Sequence, residues 1–315
     1  MANILLYITV IASWSFTWRA IKYQGGVVPL ETSVGYRFFL AGIIFFAWLL
    51  IRKNLKSYPP KEHLNMLGQG IMMFAANFIF LYEGAQFISS GLVALTFSML
   101  IFFNIFNGAV FLKKKVENRT IYGALLGFIG MVSVFWQEFH GLESYASTVK
   151  GVLLVLLGTY FASLGNIAAS RNQAKGIPIV HSNAYGMCYG GIACFLYATL
   201  FGGGFAFDPR IEYVGSLLFL TLIGTTLGFS VYLVLLGRIG AEKVAYSLVV
   251  VPIVALTIAS FTEGYQWTIT GLTGIAIIIA GNVLVLWRPR RRNESTVTNM
   301  RAANLDKPSK QKIAS

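Results

Sequence analysis

Apolar residues fall along this chain in long runs separated by short polar clusters, and those runs set the architecture. Crossing the hydrocarbon core as a helix takes about 20 consecutive, mostly apolar residues. Ten stretches reach or approach that length: 3–22, 33–51, 64–83, 90–112, 120–137, 151–170, 180–200, 213–236, 244–262 and 268–287. The pattern predicts an all-α integral membrane protein of ten transmembrane helices. In the first two stretches Arg19, Lys22 and Arg37 sit near one end, where long basic side chains snorkel toward the interface.

The runs also repeat. GALLGFIGMVSVFW at 123–136 is echoed by GIAIIIAGNVLVLW at 274–287, and one register lays Gly123 on Gly274, Gly130 on Gly281 and Trp136 on Trp287. In that register Ala94 falls on Ala245. Earlier, Val28-Pro29-Leu30 with Tyr36 matches Ile177-Pro178-Ile179 with Tyr185. Ten crossings in two similar halves leave five in each, an odd number, so the second half enters the membrane from the opposite side. The reading is two inverted five-helix repeats, an arrangement recurrent among secondary transporters because one plan then forms two similar gates. It divides the chain into a first repeat (1–137), an outer connecting loop (138–150), a second repeat (151–287) and a basic tail (288–315) that is polar, aperiodic and expected to be disordered.

Composition agrees with the pattern: 56% hydrophobic and only 12% charged residues, with a mean hydropathy of +0.66, exclude an ordinary soluble domain. Charge then orients the bundle, because cytoplasmic loops carry an excess of Lys and Arg. With the N-terminus inside, all but Arg19, Lys22, Arg37, Lys150 and Arg210 of the 25 basic residues fall on the inner side. The expectation is a multi-pass protein of the plasma (inner) membrane with both termini cytoplasmic. The net charge of +13 follows from that topology and from a tail facing anionic lipid, with no nucleic-acid partner required. MANILLYITVIASWSF has neither a basic n-region nor a small-residue cleavage site, so the first helix is expected to stay.

Polar groups inside hydrocarbon need partners, which directs attention to a few side chains. Asn77, Asn104, Asn107 and Asn166 should face the bundle interior; Asn104 and Asn107, one turn apart, would present two amides to a ligand or bond a neighbouring helix. Trp14 and Trp18 share one face of the first helix, Tyr160 takes a related place in the sixth, and Tyr185 and Tyr232 offer hydroxyls in the seventh and eighth. Rings mixed with polar heads suit amphipathic metabolites. Glu83 would take up a proton or pair with Arg19, while Arg19, Lys22 and Arg37 would either attract carboxylates or balance Glu31 and Glu83. Pro252, in mid-helix, removes a backbone hydrogen bond and should kink the ninth helix. His181 reads as a boundary residue, Cys188 and Cys194 as core fillers, and the paired glycines as close-packing sites. No metal spacing is found and no cofactor is expected.

GRIGAEKVAYSLVVVPIVALTIASFTEGYQWTITGLTGIAIIIAGNVLVLW resembles the last two helices of the drug/metabolite transporter superfamily, in its ten-helix EamA-type branch. YEGAQFISSGLVALTFSML and WSFTWRAIKYQGGVVPLETSVGYRFFLAG resemble helices three to four and one to two of the same branch, and the likeness spans residues 4–287. Members usually carry a proline in helix four as well as helix nine. Here Ile101 stands opposite Pro252, and FLKKK stands opposite Phe261-Thr262-Glu263, so the halves are expected to bend differently. The resemblance implies a secondary transporter, an exporter of small metabolites such as amino acids or amphipathic compounds, working by alternating access with protons as a candidate coupling ion. The competing class, a membrane enzyme or channel, lacks clustered carboxylates, histidines or a nucleophile with its base, and no phosphate-cradling glycine loop is found.

Overall fold

The computed structural model describes residues 2–113, 116–135, 142–239 and 241–286. The tail, Trp136, Trp287 and residues 138–141 of the expected connecting loop lie outside these. Ten helical rods run through the described residues: α1 (Ala2–Lys22), α2 (Leu30–Ile51), α3 (Pro60–Gly84), α4 (Ser90–Leu112), α5 (Asn118–Phe135), α6 (Leu142–Ala174), α7 (Ile179–Leu200), α8 (Ile211–Ile239), α9 (Ala241–Thr262) and α10 (Ile269–Leu286). Prolines mark the starts: Pro29, Pro59 and Pro178 cap α2, α3 and α7, where a missing N–H costs nothing and φ is already helical. Gly176, at φ +78°, turns the chain out of α6 in a conformation that disfavours a β-carbon.

Eight rods are long and apolar enough to span a bilayer. The others are α7, which opens with His181, Ser182 and Asn183, and α9, whose apolar part is Ser247–Thr262. The polar groups at the start of α7 are buried against neighbouring helices. The helix α6 begins at Leu142, ahead of the expected 151, so most of the expected connecting loop is its first turns. Hydropathy marks the part of a helix that lies in hydrocarbon, not where the helix begins.

Helix contacts obey the repeat. The first helix of each half, α1 or α6, packs on the third and fourth of the other; α2 packs on α7, and α5 on α10. At the α5–α10 seam, a β-carbon on Gly130 would lie 2.6 Å from the Gly274 carbonyl oxygen, and one on Gly274 2.6 Å from that of Gly130. Gly123 and Gly281 meet in the same reciprocal way, at 2.8 and 2.6 Å. Numbers rise along one helix as they fall along the other, so equivalent helices are antiparallel. Between α2 and α7, Gly42 abuts Cys188 and Gly191 abuts Phe39 in the same sense. That is the geometry of an inverted repeat, and small residues make it possible where lipid supplies no hydrophobic drive for helix association.

The halves share one irregularity and differ in another. Both α3 and α8 contain a π-helical stretch at matching places, Gly70–Ala76 and Phe219–Leu227, a feature common at functional sites. The expected asymmetry between α4 and α9 takes an unexpected form. The helix α9 runs through Pro252 within unbroken bounds, whereas α4, which lacks the proline, divides into Ser90–Phe97 and Leu100–Leu112. At the break the Ser98 hydroxyl donates to the Leu95 carbonyl at 2.6 Å, and tight turns replace the helical ladder.

Candidate functional site

Arg37 lies in the second turn of α2 and is 2% exposed. Its Nε donates to the Thr225 hydroxyl at 2.9 Å and its Nη1 to the Tyr82 hydroxyl at 3.3 Å. The guanidinium stacks over Phe38 and Phe78, 4.9 and 4.7 Å from the ring centres. Thr225 belongs to the π-helical stretch of α8 and Tyr82 to α3, so three helices converge on one cation. A β-carbon on Gly224 would lie 2.6 Å from the Thr17 hydroxyl and 3.8 Å from Arg37 Nη2, so this glycine lets α1 and α8 close around the site. Among the described residues, no carboxylate lies within ion-pair distance of Arg37. Rings lead away from it: Phe38 to Phe74 at 5.2 Å, Phe74 to Phe229 at 6.4 Å, Phe229 to Trp14 at 5.8 Å, and Trp14 to Tyr232 at 5.2 Å.

Arg19, by contrast, has a carboxylate partner, and it is Glu263 rather than the expected Glu83. Glu263 follows α9, with its side chain 10% exposed; it sits 3.5 Å from Arg19 and 3.9 Å from Lys22, and accepts from the backbone N–H and hydroxyl of Ser90 at the start of α4. The helix dipole and the exposed first-turn N–H groups favour the anion there. Glu83 instead faces Lys150 at 3.8 Å on a side chain 41% exposed, because α3 ends against α6 and not α1. Beside Arg19, a groove of about 390 Å³ opens between α1 and α8, lined by Phe16, Tyr23, Glu212 and Ser216.

Each end of the bundle also carries a latch. At the end holding Glu263, the Tyr36 and Thr32 hydroxyls of α2 donate to the carbonyls of Ala206 and Gly204, at 3.1 and 2.9 Å. At the opposite, basic end, the Tyr185 hydroxyl of α7 donates to the Lys56 carbonyl at 3.2 Å, and His181 Nε2 bonds the Asn54 carbonyl at 2.7 Å. His181 is 1% exposed and so is no ordinary boundary residue. Amides reinforce both ends: Gln24 donates to Ser216, while Asn172 donates to Gln69 and Gln69 to Asn183.

The expected cavity residues separate. Trp14 and Tyr232 meet, and the ring chain links them to Arg37. Trp18 is 7% exposed and packs on Phe97, its indole N–H without an acceptor among the described residues. Tyr185 belongs to the basic-end latch. Asn107 donates to Ser163 and Asn166 to Asn104, so these amides tie α4 to α6. Tyr160 packs on Phe103 in the same interface, and Asn77 donates to the Met73 carbonyl within α3. Tyr82 and Thr225 were not singled out from the sequence; a paired threonine inside an apolar run is the signal that marks the second. Among the described residues, no group of three His, Cys, Asp or Glu is placed to hold a metal.

The EamA-like transporter family model matches the chain twice, at residues 1–136 and 149–287. An uncharacterized transporter, YoaV, of Bacillus subtilis is 28% identical over 284 residues, covering 89% of this chain and 96% of the relative. A probable amino-acid metabolite efflux pump of Salmonella typhimurium is 26% identical over 302 residues, covering 93% and 97%. A solved crystal structure, 16% identical, superposes with a TM-score of 0.64 over 92% of this chain and 99% of its own, and shares the fold. Both relatives are named for transport and not for catalysis. With the family model filling both halves, this chain belongs to the EamA-like transporter family: a multi-pass membrane transporter, not an enzyme.

Proposed function

We propose that the protein is an alternating-access secondary transporter that exports small metabolites, amino acids or other amphipathic compounds, across a bacterial plasma membrane. The observation that carries the reading is the pair of latches at opposite ends of the bundle. Tyr36 and Tyr185 are equivalent across the repeat, and each holds a loop of the other half by one hydroxyl-to-carbonyl bond. Releasing one while keeping the other exposes the central helices to one side only, and the exchange interconverts two arrangements of nearly equal energy. The excess of Lys and Arg at the Tyr185 end favours that end being cytoplasmic, with both termini there. The wall in between combines rings, hydroxyls and one cation, which suits a small amphipathic cargo.

Purified protein in liposomes tests this directly. Labelled amino acids and amphiphilic metabolites should leave loaded vesicles in a saturable way, and both Tyr36→Phe and Tyr185→Phe should alter the rate. Equal flux from protein-free vesicles for every compound would overturn the reading. Imposing a pH gradient on the same vesicles tests proton coupling, and full pH dependence in Glu83→Gln would exclude Glu83 as the coupling group.

A further inference from the structure

We propose that Arg37 is the anchor for a substrate carboxylate, and that the ring chain running from Phe38 to Trp14 and Tyr232 receives the apolar body of the same molecule. The proposal rests on the transporter reading and narrows it to carboxylate-bearing cargo.

Three observations lead here. A cation inside a membrane bundle is costly and ordinarily sits beside an anion. Arg19 follows that rule with Glu263, yet Arg37, which is more deeply buried, has among the described residues only two neutral hydroxyls and two aromatic rings for partners. Second, a guanidinium has five N–H groups in a planar fork. Two are used, leaving three without an acceptor among the described residues in a side chain 2% exposed. The Phe38 and Phe78 rings lie 4.6 Å apart and so crowd one side of the guanidinium, and its unused N–H groups are what remains for a ligand. Third, the cation lies about 10 Å in from the end of α2, at 1.5 Å per residue, next to the latch residue Tyr36 and against the π-helical stretch of α8.

Planar, bidentate recognition favours a carboxylate over a spherical anion. The rings alongside offer π-faces and little hydrogen bonding, which fits a compact apolar or aromatic group bonded to that carboxylate. A carboxylate can come from a simple organic acid or from a zwitterionic amino acid; among the described residues no carboxylate lies within ion-pair distance of Arg37, and this favours the simple acid.

The test is a binding titration on the purified full-length protein in detergent, followed by thermal shift and tryptophan fluorescence. The probes are phenylacetate, its uncharged isostere phenylacetamide, phenylalanine and inorganic phosphate. Phenylacetate should bind saturably, with phenylacetamide and phosphate at least tenfold weaker. Arg37→Gln should lose at least tenfold for phenylacetate and leave phenylacetamide unchanged, and Arg37→Lys should fall between wild type and Arg37→Gln. Phenylalanine matching phenylacetate with the same dependence on Arg37 supports the anchor and assigns the carboxylate to amino acids. A folded Arg37→Gln that binds phenylacetate as tightly as wild type overturns the proposal, as do phenylacetamide or phosphate binding as well as phenylacetate, or neither carboxylate binding to wild type. Should Arg37→Gln not fold, Arg37→Lys decides alone, and undiminished binding by it overturns the anchor. Failure here is distinguishable from failure of the transport reading: vesicle flux that persists without any dependence on Arg37 removes only the anchor, whereas Arg37-dependent binding without flux removes only transport.

Discussion

The two latches make a controlled comparison within one molecule. Backbone and tyrosine are the same at each end: Tyr36 reaches Ala206 O and Tyr185 reaches Lys56 O, at 3.1 and 3.2 Å. The companion residue differs. Thr32 supplies a hydroxyl, whereas His181 supplies an imidazole whose buried Nδ1 has no partner among the described residues. The charges around the latches differ as well, since Glu263 clamps α4 against Arg19 and Lys22 at one end, and the equivalent stretch of the first half carries lysines. Main-chain symmetry therefore supplies two similar hydrogen-bonded contacts, and the side chains around them differ; in the proposed transport cycle that difference would set which end opens more readily.

Experiments can break or sharpen that comparison. The largest effect is expected where symmetry is strictest. Gly130→Val and Gly274→Val each push a side chain into the partner's backbone, and each should cost about 3 kcal/mol or more, read as lost yield and earlier melting. If only one of the two is harmful, the seam is not shared equally. Next comes the unshared clamp: Glu263→Gln leaves two cations beside a neutral group and should cost about 2 kcal/mol in thermal unfolding. Glu83→Gln, at an exposed ion pair, should stay within about 0.5 kcal/mol.

Smaller, but opposite in sign, are the latch tyrosines. Tyr36→Phe and Tyr185→Phe each remove one hydrogen bond of about 1 kcal/mol, enough to shift the balance between the two arrangements roughly fivefold. Accessibility of single cysteines placed at each end, with Cys188 and Cys194 replaced, should rise at the mutated end and fall at the other. A shift in the same direction for both variants would refute the two-gate reading. The smallest effect concerns Asp208 in the loop that Tyr36 holds. Arg210, by hydrogen bonds and charge, keeps the Asp208 carboxyl below its ordinary 3.8. A depressed carboxyl stabilises the folded loop above the ordinary value, and the contribution fades as pH falls through the lowered one. Asp208→Asn should flatten that acid-side loss in melting curves taken from about pH 5 down to about pH 2, roughly the interval in which such a carboxyl takes up its proton.

Some of this was legible in the residues alone. The ten rods follow from apolar runs, a local property, and the seam glycines follow from a repeat that any register comparison exposes. Other features were out of reach. Glu83, at a helix end, offered itself as a proton acceptor or as a partner for Arg19, yet Glu263 pairs with Arg19 and is held by a bond to Ser90 spanning 173 residues. The bond between Arg37 and Thr225 spans 188 residues and depends on π-helical geometry that hydropathy does not encode.

What the sequence determined by itself was a duplicated, membrane-spanning chain of ten helices, because the transfer of apolar side chains into lipid is nearly additive along a segment and needs no partner to be named. What only the tertiary structure decided was which charged and polar groups meet. That depends on how equivalent helices cross, and a few ångströms at a glycine contact determine whether a cation finds a carboxylate, as Arg19 does, or, among the described residues, bonds only to hydroxyls, as Arg37 does.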